Sequence, residues 1–161
     1  MAVALDERDR TLLSALQENA RLSNAELARR VHLSATGLQK RLRRLEEAGV
    51  ITRYVAMLDR EALGLDMLCF VQVTLQRHEP DAVANFRREV QSMAEVLECH
   101  HLTGEFDFLL KVVVRNRKHL EQFILNTLTP VHGMDKIRTS LVLSEIKSLS
   151  AVPLCDSAGT E

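Results

Sequence analysis

At 161 residues, 46% hydrophobic and 27% charged, the chain has the composition of an ordinary globular protein of one or two small domains. No apolar run approaches the ~18 residues of a membrane span, and Asp6, Glu7, Arg8, Asp9 and Arg10 arrive too early for a signal peptide, so neither a membrane nor a secreted class is expected. The net charge of −1 hides an asymmetry: residues 1–60 carry 11 Lys/Arg against 8 Asp/Glu, while residues 61–161 carry 10 against 14.

The first 60 residues read as helices. Leu5-Asp6 offers a hydrophobic staple and an N-cap, and Leu12, Leu13 and Leu16 follow at helical spacing until Asn19-Ala20-Arg21 breaks the run. Ser23 and Glu26 have the spacing of a capping box, which opens a short helix carrying Leu27 and Val31 on one face. His32-Leu33-Ser34 makes a turn. Ser34 then caps a third helix running to about Ala48, with Gly49 at the position of a C-terminal capping glycine. Val50 to Leu58 is strand-like and predicts a short β-wing or connector, and Leu63-Gly64-Leu65 marks the end of a linker.

The second half changes period. Leu68 to Gln76 predicts a strand, Pro80-Asp81 opens a helix with Val83, Phe86 and Val90 on one stripe, and Glu95 to Thr103 is a strand. Gly104-Glu105 is a tight turn, Phe106 to Val114 a strand, and Lys118 to Leu128 a helix stopped by Pro130. Lys136 to Ile146 is the last strand. The order β-α-β-β-α-β is the split βαβ arrangement of ferredoxin-like domains, an approximate duplication of about 40–50 residues per half. Expected boundaries are residues 1–60 for the helical first domain, 61–66 for a linker, 67–150 for the second domain and 151–161 for a flexible tail.

Between Arg29 and Arg44 there are six basic residues and no acidic one, the pattern of a protein that meets phosphate with one face. On a helix of ~100° per residue, Leu42 and Leu45 lie within about 40° of Leu38, and the three form a buried stripe. Thr36, Lys40 and Arg43 fall roughly 140–200° away, with Gln39 and Arg44 at the flanks. That face suits base edges in the major groove of double-stranded DNA: Arg and Lys bond guanine, and Gln bonds adenine. Ser34, Thr36 and the helix N-terminus are placed to hold phosphate, and Arg29 and Arg30 to meet the backbone. A merely solvated helix face explains the polarity but not the absence of acids, nor two capped helices joined by so short a turn.

Cys69, Cys99 and Cys155 form an odd set without metal-ligand spacing, as expected in a reducing cytoplasm. Cys99, His100 and His101 cannot all face one way on a strand, and His119 and His132 add no spacing that makes a metal site. No nucleophile elbow, P-loop or dinucleotide fingerprint is present, so neither an enzyme nor a cofactor is expected.

In chain order, several segments resemble the Lrp/AsnC (feast/famine) transcription regulators over about Leu5 to Leu149. They are Leu5-Asp6-x-x-Asp9, Asn19-Ala20-Arg21-Leu22-Ser23-Asn24-x-Glu26-Leu27-Ala28, Arg41-x-x-Arg44-Leu45-Glu46-x-x-Gly49-Val50-Ile51 and Gly104-x-Phe106-Asp107. The resemblance implies an α+β chain, an N-terminal winged helix-turn-helix followed by a ferredoxin-like βαββαβ effector domain of the RAM type. It implies homodimers built by pairing those sheets, assembling further into octamers, and an amino-acid-like effector in the cleft between neighbouring effector domains. It also implies effector contacts from His101 to Thr103, from Gly104, Glu105, Phe106 and Asp107, and from Ser140, Leu141 and Val142 on the last strand. In that reading backbone N–H groups of the turn take a carboxylate and Asp107 an α-amino group. On the residues alone, Gly104 to Asp107 reads equally as a plain hairpin turn. The chain departs from the pattern at Ala35 and Gly37, where prolines are common. His101 and Arg117 stand where leucine-responsive members tend to be apolar, which favours a polar effector. An effector-independent architectural DNA-binding protein is the alternative.

Overall fold

Local capping defines the first helices. In a computed structural model describing residues 3–76, 81–148 and 151–154, Asp6 caps α1 (Glu7–Glu18) by accepting from the Asp9 N–H, while the Asp9 carboxylate accepts from the Asp6 N–H. Ser23 and Glu26 form the expected box at the start of α2 (Asn24–Arg30), and Ser34 Oγ accepts from Gly37 N–H at 3.1 Å to open α3 (Ala35–Glu47). Val31 ends α2, His32 sits in the left-handed region at φ 52°, and the Leu33 N–H closes the turn on Ala28 C=O at 2.9 Å. Gly49, at φ 70°, ends α3 with Val50 N–H bonded to Leu45 C=O, a conformation that favours glycine.

The described residues divide into two compact units. One holds residues 3–57 with 147–148 and 151–154; the other holds 58–146. The core of the first is Leu12, Leu13 and Ala15 of α1, Leu27, Ala28 and Val31 around α2, and Leu38 and Leu45 of α3. This is the leucine stripe read from the sequence. Residues 52–59 form no helix and join no ladder among the described residues, so the strand expected there is absent from the described sheet. The described start of the tail, residues 151–154, is held to the first unit: Val152 exchanges hydrogen bonds with Gln17, and Leu154 packs against the leucine core. Residues 155–161, including Cys155, lie outside the described residues, as does Pro80.

The second unit contains β1 (Met67–Leu75), α4 (Ala82–Val90), β2 (Val96–His101), β3 (Phe108–Val114), α5 (Arg117–Gln122) and β4 (Met134–Leu141). The sheet order is β2-β3-β1-β4 with every pairing antiparallel. That is the expected ferredoxin-like topology. Alternation along β1 and β3 sends Cys69, Val71, Val73, Leu75, Phe108, Leu110, Val112 and Val114 into a core with Phe86 and Val90 of α4 and Phe123. Phe70 and Leu109 belong to the opposite face, with Phe70 38% exposed.

Two elements end differently from the sequence reading. After α5 the chain continues as a π-helical turn, Phe123–Leu128, because the Thr129 N–H and hydroxyl both donate to the Ile124 carbonyl five residues back. β4 ends at Leu141 instead of Ile146. Cys69 pairs with Leu141 and Leu68 C=O accepts the Val142 N–H, so the start of β1 leaves later residues nothing to pair with. Leu143 and Ile146 are accordingly exposed.

Candidate functional site

The outer face of α3 carries the sequence-derived DNA contacts. Ser34, Thr36, Gln39, Lys40, Arg43 and Arg44 are all exposed, as are Arg29 and Arg30 at the end of α2, while Leu38 and Leu45 are buried. Gly37, Lys40, Arg41, Arg43, Arg44 and Glu47 line a groove along this helix. Their electrostatics are unequal. Arg43 Nε donates to Glu47 Oε1 at 2.7 Å and Arg30 lies 3.5 Å from Glu18, both solvated pairs of the kind worth ~0–1 kcal/mol and readily exchanged for a phosphate. Among the described residues Lys40 and Arg29 have no ion-pair partner.

Arg44 is different. Its guanidinium donates to Asp9 Oδ2, and Arg41 donates to Asp9 Oδ1 and Asp6 Oδ2, both at 2.6 Å. Asp9 is fully buried, and it is the one buried charged residue among those described. Its burial raises the carboxyl pKa, but hydrogen bonds from Arg41, Arg44 and the Asp6 N–H outweigh that and hold it below the ordinary aspartate value. Asp6 is lowered too, chiefly by Arg41, and Arg41 is raised by both aspartates. The sequence offers Asp9 only as the third residue of a helix. Its link to α3 spans 35 positions and has no local signal.

The second site is the β2–β3 turn. Gly104 has φ 128°, which a side chain would strain, and Leu102 N–H closes the hairpin on Asp107 C=O at 2.8 Å. Asp107 bolts this turn to β1: its N–H donates to Val73 C=O at 3.0 Å and its Oδ2 accepts the Leu75 N–H at 2.7 Å. That oxygen holds the turn to β1, and its second lone pair and Oδ1 remain for another donor. Glu105 and Thr103 are exposed and Phe106 is partly so. The Arg138 guanidinium lies 5.4 Å from the Phe106 ring centroid, and His101 stacks on Phe108 at 4.6 Å. Arg138 has no sequence signal of its own, since its place depends on the β4 register that sets it beside Gln72.

The structure thus gathers His101, Thr103, Gly104, Glu105, Phe106 and Asp107 with Arg138 at one end of the sheet. It does not bring the remaining effector candidates to that end. Ser140, Leu141 and Val142 lie beside Phe70, Cys69 and Leu68, three to five residues back along β1 from Val73, or about 10–17 Å. Arg117 follows the far end of β3, and that seven-residue strand separates it from the turn by about 20 Å. Cys99 and His101 pair with Leu110 and Phe108, and His100 with Leu109 on the other face, where it lies 3.2 Å from Glu98. His119 lies 3.1 Å from Glu95. The described residues contain no cluster suited to a metal ion, and no described helix is long and apolar enough to cross a membrane.

Comparison with known proteins agrees with this division. Residues 5–52 match the winged helix-turn-helix DNA-binding family, and residues 68–152 match the Lrp/AsnC ligand binding domain. The chain is 41% identical over 143 residues to the leucine-responsive regulatory protein of Escherichia coli (strain K12), covering 89% of this chain and 87% of that one. A transcriptional regulator of Neisseria meningitidis, solved in complex with L-Met, matches with a TM-score of 0.89 and 39% identity over 94% of this chain and 97% of that one. Escherichia coli AsnC matches with a TM-score of 0.84 and 27% identity over 92% and 98%. A winged helix-turn-helix followed by such a domain defines a ligand-responsive, DNA-binding transcription regulator. The chain belongs to the Lrp/AsnC family.

Proposed function

We propose that this regulator binds specific DNA sequences and responds to an amino acid or a related small metabolite, controlling genes of amino-acid metabolism. The observation that carries the effector class is the turn at Gly104, whose exposed backbone is held open by Asp107 while Arg138 supplies a cation over Phe106. A carboxylate accepting from turn N–H groups and a guanidinium is the chemistry of an amino-acid head group. The relatives point the same way: one is called leucine-responsive and another was solved with L-Met. His101 and Arg117, both polar, favour an effector that is not purely aliphatic.

The DNA contacts in this reading are Ser34 and Thr36 on phosphate, Gln39, Lys40 and Arg43 on base edges, and Arg29 and Arg30 on the backbone. The working form is a cytoplasmic homodimer, assembling to an octamer, in which the open sheet face bearing Phe70 and Leu109 meets a second copy. The two separated groups of effector candidates then come from neighbouring copies, one giving the Gly104 turn and the other Arg117 or the Ser140–Val142 strand. Effector binding favours one assembly over another, and a coupling of ~1–3 kcal/mol changes DNA affinity roughly 5–150-fold.

A thermal-shift panel of the purified protein against the twenty amino acids tests this. One at 100 times its Kd adds about 2.7 kcal/mol to the binding-competent form, a clear rise in Tm. Silence across the panel at millimolar concentrations, with strong DNA binding that ignores sequence, overturns the reading in favour of an architectural DNA-binding protein.

A further inference from the structure

The chain's basic run does not all face DNA. Arg41 and Arg44, two of its six cations, are directed at carboxylates of α1, and the shared acceptor is Asp9. Asp9 is entirely shielded from solvent, whereas Arg44 is about half exposed and Arg41 one-fifth exposed. The Arg44 side chain therefore spans from a buried anion to the rim of the groove that also holds Lys40 and Arg43. Arg41 is held twice, by Asp6 as well as Asp9, while Arg44 is held by Asp9 alone.

From this arrangement we infer that Asp9 is a positioning residue for sequence discrimination: it fixes α3 against α1 and keeps Arg44 off the phosphate backbone. A cation free to swing onto any phosphate adds affinity that is the same for every sequence. Binding that same cation to a buried carboxylate removes the nonspecific increment. It leaves Gln39, Lys40 and Arg43, one face of a helix held at a set angle, to read the duplex. The geometry makes Arg44 the residue released when Asp9 loses its charge, because Arg41 retains Asp6. This rests on α3 being the face that meets DNA.

The test measures DNA affinity against salt for the full chain, with a duplex selected by the wild-type protein from a random pool and with an unselected duplex. Each phosphate neutralised contributes about −0.9 to the slope of log K against log salt. Asp9→Asn is expected to steepen the slope by about 0.9 per subunit, so that a fourfold rise in salt costs ~3.5-fold more affinity per bound subunit than in the wild type, or ~12-fold for a dimer. Its preference for the selected duplex falls, and Asp9→Asn with Arg44→Gln returns the slope to the wild-type value. An unchanged slope in Asp9→Asn, with both duplexes weakened equally, means that Asp9 only supports the fold, and it overturns the inference. Should Asp9→Asn not fold, Arg44→Gln alone decides. An unchanged slope with a reduced preference for the selected duplex supports the inference; both duplexes weakened equally, or a slope flattened by about 0.9 per subunit because Arg44 already sits on phosphate, overturns it. If the wild type itself shows no salt-dependent DNA binding, it is the α3 interface that fails instead.

Discussion

Gln17 and Val152, 135 residues apart, are joined by two hydrogen bonds: the Val152 N–H donates to Gln17 Oε1 at 2.6 Å, and Gln17 Nε2 donates to the Val152 carbonyl at 3.2 Å. A side-chain amide here does what a neighbouring strand would do, and Leu154 adds a partly buried apolar anchor beside Leu13 and Leu16. The chain that leaves the first unit at Met57 thus returns to it at residues 147–148 and 151–154. Ending the chain at residue 150 should loosen α1 by about 1–2 kcal/mol, the loss of two exposed hydrogen bonds and part of a leucine's burial. Amide exchange of α1 is the measurement, with an expected acceleration of roughly 5–30-fold. Gln17→Ala should give less than half of that effect. Unaltered exchange in the shortened chain would mean that the contact contributes nothing.

Asp107 makes a comparable prediction for the effector turn. Replacing it with Ala removes a charged acceptor and strands the Leu75 N–H at the end of β1, a loss of about 1–3 kcal/mol. Asp107→Asn keeps an acceptor oxygen and should lose only about 1 kcal/mol. Denaturant unfolding gives the stability, and exchange of the Leu75 amide locates the effect. If both variants match the wild type in stability, Asp107 is free to serve an effector amine instead.

These two contacts also show where sequence reading stops. Caps and strands are local or periodic, so Ser23 with Glu26, Ser34 before α3 and the core face of β1 were legible from residues a few positions apart. The order βαββαβ followed from them. Arg44 reads as one more exposed cation on α3 until the crossing of α1 and α3 brings Asp9 beneath it. Arg138 meets Phe106 only through the register of β4 on β1, and β4 stops at Leu141 because β1 begins at Met67, a constraint carried by the partner strand. The π-helical turn is equally silent in the sequence, since the spacing of Leu120, Phe123, Ile124 and Leu128 fits an ordinary helix.

The turn between α2 and α3 holds a small reserve of strain. His32 is exposed at φ 52°, a left-handed conformation that costs an L-residue roughly 1–2 kcal/mol and glycine almost nothing. His32→Gly should raise stability by about 0.5–1 kcal/mol after allowing for glycine's greater freedom in the unfolded chain. His32→Val should lower it by at least as much, because a β-branched residue tolerates that region poorly. Thermal unfolding monitored by circular dichroism distinguishes the signs, and a destabilised glycine variant would show that the imidazole makes a contact worth more than the strain.

The cluster of Asp6, Asp9, Arg41 and Arg44 sets the acid limit of the DNA-binding unit. Both aspartates titrate below their ordinary value of 3.8, Asp6 because Arg41 donates to it, and Asp9 because Arg41, Arg44 and the Asp6 N–H overcome the opposing effect of its burial. The unfolded chain therefore takes up these protons first as pH falls. Their contribution is complete above about pH 4 and is lost as the pH drops through the depressed folded values. Asp9→Asn abolishes its own share at every pH, so at neutral pH the unit should lose about 2–3 kcal/mol. That is less than the ~3–5 kcal/mol of a fully buried pair, because Arg44 is half exposed. At acid pH the two proteins should converge, since the wild-type carboxylate is then protonated as well. Far-ultraviolet circular dichroism across an acid titration, with denaturant midpoints at neutral pH and at successively lower pH below 3.8, checks both statements. A gap between the proteins that stays constant down to the lowest pH would show that the carboxylate's charge is not what holds α3 to α1.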